Sequence, residues 1–142
     1  MNELIGIVGI VSGVIGAATG IIGMTISLLD HRRDRFMAVH EYLCAVESEE
    51  FIKAKRHVYN NTEFEETDEY AAVIVNFFHH WGMLAKRNYL PMWVFDGATG
   101  RGACRLYEKV LPYIKLRQKI NNDPSYGECF VWLYTRIKDK LK

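Results

Sequence analysis

The stretch Leu4–Leu29, LIGIVGIVSGVIGAATGIIGMTISLL, decides the fold because it contains no charged residue. A bilayer core about 30 Å thick is crossed by roughly 20 apolar helical residues, so the stretch is long enough to span a membrane. Only Met1–Glu3 precede it, without the basic region or the small-residue cleavage site of a secretory signal. The sequence therefore predicts a retained transmembrane helix at the N-terminus.

Six glycines recur in this stretch at intervals of 3, 4, 3, 4 and 3 residues. They are Gly6, Gly9, Gly13, Gly16, Gly20 and Gly23, and Ser27 continues the series one heptad after Gly20. At about 100° per residue they share one narrow stripe of a helix. Small residues in such a stripe let membrane helices approach closely, which predicts self-association or packing on a partner helix. The alternative is that glycine is simply tolerated in a membrane helix.

Basic residues follow the apolar stretch and none precedes it. Arg32, Arg33 and Arg35 lie directly after it, and basic flanks stay on the cytoplasmic side of a membrane. This asymmetry predicts an N-terminus outside and a cytoplasmic C-terminal part. The three cysteines are odd in number and lack CxxC spacing, which favours a reducing compartment over a disulfide framework or a zinc site.

Residues 36–142 suit one small domain, and their apolar residues recur at helical rather than strand spacing. The predicted fold is all-α, with a transmembrane helix and basic flank in residues 1–35 and a cytoplasmic domain of about five helices in residues 36–142. The spacing of Phe36, Val39, Leu43 and Val46 predicts an amphipathic helix that runs on from the membrane helix. Ser48 is the predicted N-cap of the next helix, and Asn60-Asn61 is its predicted end.

The remaining helices are predicted from caps, prolines and apolar spacing. The longest begins at Thr62 or Thr67 and ends near Asn88. A short helical turn covers Pro91–Phe95, and Gly97–Gly102 is a flexible loop. The helix that includes Leu106–Leu116 carries Pro112, and the last helix begins at Asp123-Pro124, with the aspartate as N-cap.

Three segments of this pattern carry a resemblance to a known family. They are VNFFHHWGMLAKRNYL at 75–90, LYEKVLPYI at 106–114 with Arg117 after it, and Phe130-x-x-Leu133-x-x-Arg136. The chain resembles the bacterial and prophage family catalogued as domain of unknown function forty-seven-sixty. The resemblance implies a short helical protein of the bacterial inner membrane, often with one N-terminal membrane helix. It brings no activity and no catalytic residue.

No catalytic, cofactor or metal site is predicted. Adjacent helical histidines point about 100° apart, so His79 and His80 cannot chelate one metal together. The sequence has no HExxH, GxSxG or P-loop motif, which disfavours an enzyme. The glycines of Gly97–Gly102 with Arg105 allow a phosphate cradle, but the loop-and-cap interpretation is preferred. A formal net charge of +1 argues against nucleic-acid binding.

Four residues around Pro91 form the predicted protein-docking surface, with burial in the core as the alternative. They are Tyr89, Leu90, Met92 and Trp93. The sequence thus favours a membrane-anchored protein that self-associates through its glycine stripe and presents a helical domain to an unknown cytoplasmic protein. The alternative from another class is a small effector of a prophage or defence system that perturbs the bilayer.

Overall fold

The computed structural model describes the backbone of residues 2–141 and the side chains of residues 19–141. This part of the chain contains five α-helices, one 3₁₀ helix and no strand. The helices are α1 (Asn2–Val46), α2 (Glu49–Asn60), α3 (Glu69–Lys86), the 3₁₀ helix (Met92–Phe95), α4 (Ala98–Ile120) and α5 (Glu128–Lys140). The predicted all-α class is confirmed.

The chain divides into two compact units, Met1–Phe36 and Met37–Lys142. The division lies one residue from the predicted boundary. In the part of the chain that the structure describes, no helix is both long and apolar enough to cross a membrane. The side chains of residues 4–18, more than half of the apolar stretch, lie outside that description, so the transmembrane helix stays a prediction.

The C-terminal part of α1, residues 37–46, belongs to the second unit, and Tyr42 is its buried residue. The ring of Tyr42 meets Trp81 and Phe95 edge-on with centroids 5.3 Å away in both cases. Of the four apolar positions that predict this amphipathic helix, Phe36 and Leu43 are 70% and 53% exposed. Adjacent helical residues point about 100° apart, so a helix that buries Tyr42 turns Leu43 away.

Helix α2 follows its predicted limits. The Ser48 hydroxyl oxygen accepts a hydrogen bond from the Phe51 amide at 3.3 Å, which satisfies one free donor of the first turn. Asn61 ends the helix, and its side chain donates to the carbonyl of His57 at 2.8 Å. The predicted cap and helix end are confirmed.

Helix α3 begins later than either predicted start. Its N-cap is Asp68, whose carboxylate accepts from the Ala71 amide at 2.8 Å. The same carboxylate lies 2.9 Å from Nε2 of His57 on α2. Thr62 and Thr67 are therefore not the caps, because Asp68 combines a capping bond with a contact to the preceding helix.

Helices α3 and α5 pack closely at Gly82. A Cβ atom at this position would overlap the carbonyl oxygen of Cys129, so only glycine permits the approach. Nearby, the rings of Phe78 and Phe130 stack with centroids 4.6 Å apart. This contact forms much of the core between the two helices.

The predicted flexible loop at Gly97–Gly102 is wrong, because α4 begins at Ala98. Gly97 precedes the helix with φ at 64°, a conformation that suits glycine. Gly100 lies in the first turn against the carbonyl of Phe95, and a Cβ there would come within 3.0 Å of the Ile137 side chain. Close packing, rather than a loop, explains this glycine.

The last helix begins at Glu128 and not at Asp123-Pro124. The Asp123 carboxylate accepts from the amide and the hydroxyl of Ser125, at 2.9 and 2.7 Å, and so closes a local turn. These two bonds lower the pKa of Asp123. The chain enters α5 only after Gly127, which has φ at 76°.

Candidate functional site

The predicted helix-packing residues lie mostly beyond the described side chains. Gly6, Gly9, Gly13 and Gly16 fall outside them. A Cβ at Gly20 or at Gly23 would meet no atom within 4 Å, and Ser27 is exposed. The C-terminal part of the stripe, from Gly20 to Ser27, is therefore open. The role of the whole stripe in helix packing stays a prediction.

The predicted membrane-orienting arginines lie in the same helix. Arg32 and Arg33 are exposed and Arg35 is half-buried. None of the three forms an ion pair within the described part of the chain. Their charges are available to solvent or to lipid, and their orienting role stays a prediction.

Only part of the predicted docking surface is exposed. Tyr89 and Trp93 are 51% and 60% exposed, Met92 is half-buried against the core, and Leu90 is fully buried. Leu90 is therefore wrong as a docking residue. The amides of Tyr89 and Leu90 both donate to the carbonyl of Leu84, at 2.9 and 3.3 Å, and this tight turn directs Leu90 inward.

A basic groove runs along α4 and was not found from the sequence. Two adjoining cavities of about 380 and 330 Å³ share Arg105 and Glu108. The basic groove is lined by Tyr59, Arg101, Cys104, Arg105, Glu108, Lys109, Lys138 and Leu141. Arg101, Arg105 and Lys109 occupy positions i, i+4 and i+8, which share one face of a helix. This i, i+4, i+8 spacing is the feature of the sequence from which the basic face of α4 could have been predicted.

Glu108 is the one acidic residue among those that line the basic groove, and it is already engaged. Its carboxylate accepts from Lys138 Nζ at 2.9 Å and from the Tyr134 hydroxyl at 3.0 Å. The hydrogen bond from Lys138, and then that from Tyr134, lower the pKa of Glu108, while the same pairing raises the pKa of Lys138. Both groups therefore stay charged at neutral pH.

The three basic residues of α4 are not paired in this way, although the charge of Arg105 also contributes to the lowered pKa of Glu108. Within residues 19–141, Arg101, Arg105 and Lys109 make no ion pair. Cys104 is buried in the wall between them, and its burial raises the pKa of its thiol. A protonated thiol is a weak nucleophile, so the groove is suited to binding anions rather than to cysteine chemistry.

An acidic segment, defined as residues 63–69, borders a separate cavity of about 420 Å³. Two of its acidic side chains are paired: Asp68 with His57 at 2.9 Å, and Glu66 with Arg117 at 3.7 Å. The others, Glu63, Glu65 and Glu69, are exposed and form no ion pair with the described residues.

Two features that the sequence did not favour as sites are the adjacent histidines, His79 and His80, and the glycines before Arg105. Across residues 19–141, no three His, Cys, Asp or Glu side chains converge to hold a metal. Gly100 is buried against Phe95, and Gly97 precedes the helix. The glycines before Arg105 therefore serve packing and helix initiation.

No family model, curated protein or solved structure matches the chain. The resemblance to the bacterial and prophage family stays a prediction.

Proposed function

We propose that this protein is a single-span membrane protein that associates through its glycine stripe and presents its helical domain to another protein. One observation carries the proposal. Six large apolar side chains near the middle of α1 are between 54% and 69% exposed. They are Ile21, Ile22, Met24, Ile26, Leu28 and Leu29. A contiguous apolar surface of this kind marks a membrane or protein contact.

The energetic cost of leaving this surface in water is large. Covering one such side chain fully gains about 1.5 to 3 kcal/mol. Since each of the six is more than half exposed, covering all of them gains on the order of 5 to 10 kcal/mol. Lipid around Ile21–Leu29 supplies this cover, and the sequence before it is uncharged back to Leu4.

Helix association is supported by the backbone of α1. The helix runs without interruption from Asn2 to Val46, so all six glycines of the heptad series lie in helical backbone. Isoleucine and valine suit lipid on the other faces, and the bare glycine backbone permits close approach of another helix. That helix belongs to a second copy or to a different membrane protein.

Topology and docking complete the proposal. The basic residues Arg32, Arg33 and Arg35 support a cytoplasmic helical domain, with the N-terminus outside the bacterial inner membrane. On the domain, Tyr89 and Trp93 are the exposed aromatic residues of the predicted docking surface. Aromatic residues are enriched at protein interfaces, so these two side chains are the docking point for an unknown cytoplasmic protein.

The test of self-association compares bulky substitutions on and off the stripe. The stripe variant carries Gly13→Ile and Gly16→Ile, and the matched control carries Val14→Ile and Ala18→Ile, which by helical spacing fall outside the stripe. Cross-linking in native membranes is expected to show oligomers for the wild type and the control and monomers for the stripe variant. Unchanged oligomers in the stripe variant would overturn self-association.

Two further measurements test the remaining parts of the proposal. A membrane-impermeant thiol reagent applied to intact cells is expected to miss the exposed Cys44 and to label a cysteine introduced by Asn2→Cys. The reverse labelling would overturn the topology. Overexpression is expected to leave the membrane potential unchanged, and depolarisation would favour the effector alternative.

A further inference from the structure

We propose that the basic groove of one copy binds the acidic segment, residues 63–69, of a second copy. The contact deepens the proposed function, on which it rests for the proximity of the two copies. The groove offers three basic residues without ion pairs, Arg101, Arg105 and Lys109, within the described part of the chain. The acidic segment offers three carboxylates that likewise form no ion pair with the described residues, those of Glu63, Glu65 and Glu69.

The spacing of the charges matches. Arg101 and Arg105 are one helical turn apart, which is about 6 Å along the axis of α4. Glu63 and Glu65 lie in irregular backbone, where residues two positions apart are separated by up to about 7 Å. Two neighbouring carboxylates can therefore face two neighbouring guanidinium groups, and arginine binds carboxylates with two parallel hydrogen bonds.

One chain cannot make this contact with itself. Helix α2 borders both sites, with His57 at the acidic cavity and Tyr59 at the basic groove. Residues two positions apart on a helix point about 200° apart, so the sites lie on opposite sides of α2. The contact therefore joins different copies head to tail, and each copy keeps one free groove or segment for a further neighbour.

Membrane association provides the concentration that such a contact needs. Exposed ion pairs are individually weak and are screened by salt. Tethering on a short linker raises the effective concentration to the millimolar range, where a weak contact becomes populated. The membrane helices would thus bring neighbouring domains close together, and the groove contact would arrange these domains head to tail.

The experiment uses full-length protein in lipid nanodiscs, prepared as a mixture of isotopically light and heavy chains. A carbodiimide joins carboxylates to amines only where they touch. The expected product links Lys109 of one isotope to Glu69 of the other, and raising the salt from about 50 to about 500 mM is expected to reduce its yield severalfold. Products found only within one isotope would overturn the proposal.

Charge reversal provides the decisive comparison. Reversing the groove with Arg101→Glu and Arg105→Glu, or the segment with Glu63→Arg and Glu65→Arg, is expected to reduce the Lys109–Glu69 product about tenfold. A chain that carries all four substitutions restores complementary charges and is expected to recover the product. Recovery excludes misfolding as the cause of the loss.

The matched control is Lys115→Glu with Lys119→Glu, which reverses exposed charges of α4 that do not line the basic groove. It is expected to leave the product unchanged. A product that is equally abundant in all variants would overturn the groove contact.

The glycine-stripe variant separates this proposal from the proposed function. Oligomers that persist in the Gly13→Ile, Gly16→Ile variant contradict the role of the glycine stripe in association. The Lys109–Glu69 product then still decides the groove contact by itself. Oligomers that depend on the stripe but give no Lys109–Glu69 product support the proposed function and overturn the groove contact.

Discussion

Gly82 and Gly102 are both helical glycines, but the structure predicts opposite effects when each is replaced by alanine. Alanine is more favourable than glycine in a helix interior by about 1 kcal/mol. At Gly102 a Cβ meets no atom within 4 Å, so Gly102→Ala is expected to stabilise the domain by about this amount. At Gly82 the same gain is opposed by a clash with the backbone of α5.

The size of the clash follows from the atoms around Gly82. A Cβ there would lie 3.0 Å from the carbonyl carbon of Cys129 and 3.5 Å from its Cβ, and would overlap the carbonyl oxygen. Overpacking of this kind costs about 1 to 3 kcal/mol, and backbone atoms cannot escape by changing rotamer, which favours the upper end. After the gain in helix propensity, Gly82→Ala is expected to destabilise the domain by about 2 kcal/mol.

Both variants replace a helical glycine by alanine, so the contribution of helix propensity cancels when their free energies of unfolding are compared. Their free energies of unfolding are therefore expected to differ by about 3 kcal/mol, or roughly 12 to 24 °C in the midpoint of thermal unfolding. Tryptophan fluorescence of the full-length protein in detergent micelles follows the domain, since the buried Trp81 belongs to its core. Equal midpoints for the two variants would refute the close approach of α3 and α5 at Gly82.

Two further predictions concern side chains whose burial the sequence did not reveal. Leu90→Ala is expected to destabilise the domain by about 2 to 5 kcal/mol in the same assay, because it leaves a cavity at a fully buried site. The exposed Trp93 is the control, and Trp93→Ala is expected to change the free energy of unfolding by less than about 1 kcal/mol. Equal losses of stability in the two variants would contradict the inward turn at Leu90. A thiol reagent is expected to label Cys44 rapidly in the native protein and to reach the buried Cys104 and Cys129 only in denaturant. Rapid labelling of three thiols without denaturant would contradict the packing of α4 and α5.

Some features of the domain were predictable because a short stretch of sequence decides them. The Ser48 cap needs only a hydroxyl three residues before the Phe51 amide, and both ends of this bond lie in one turn. The 3₁₀ helix after Pro91 likewise depends on the restricted proline backbone. The all-α class follows from apolar residues at helical spacing, which is also a local property.

Other local signals were outcompeted by contacts between distant residues. Thr62 and Thr67 can cap a helix in isolation, but Asp68 also reaches His57, eleven positions earlier. The glycines at 97–102 are typical of a loop, yet Gly100 allows a helical turn to pack against Phe95. Such competitions are decided by packing that no short window of sequence contains.

The candidate sites divide in the same way. The sequence by itself determined the uncharged segment, its glycine stripe and the basic flank, because charge and periodicity along one helix are properties of the sequence alone. Only the tertiary structure separated the exposed Trp93 from the buried Leu90, paired Glu108 with Lys138 and left Arg101 and Arg105 without an ion pair among the described residues. The physical reason is that burial and ion pairing depend on which helices meet, and these contacts join residues far apart in the chain.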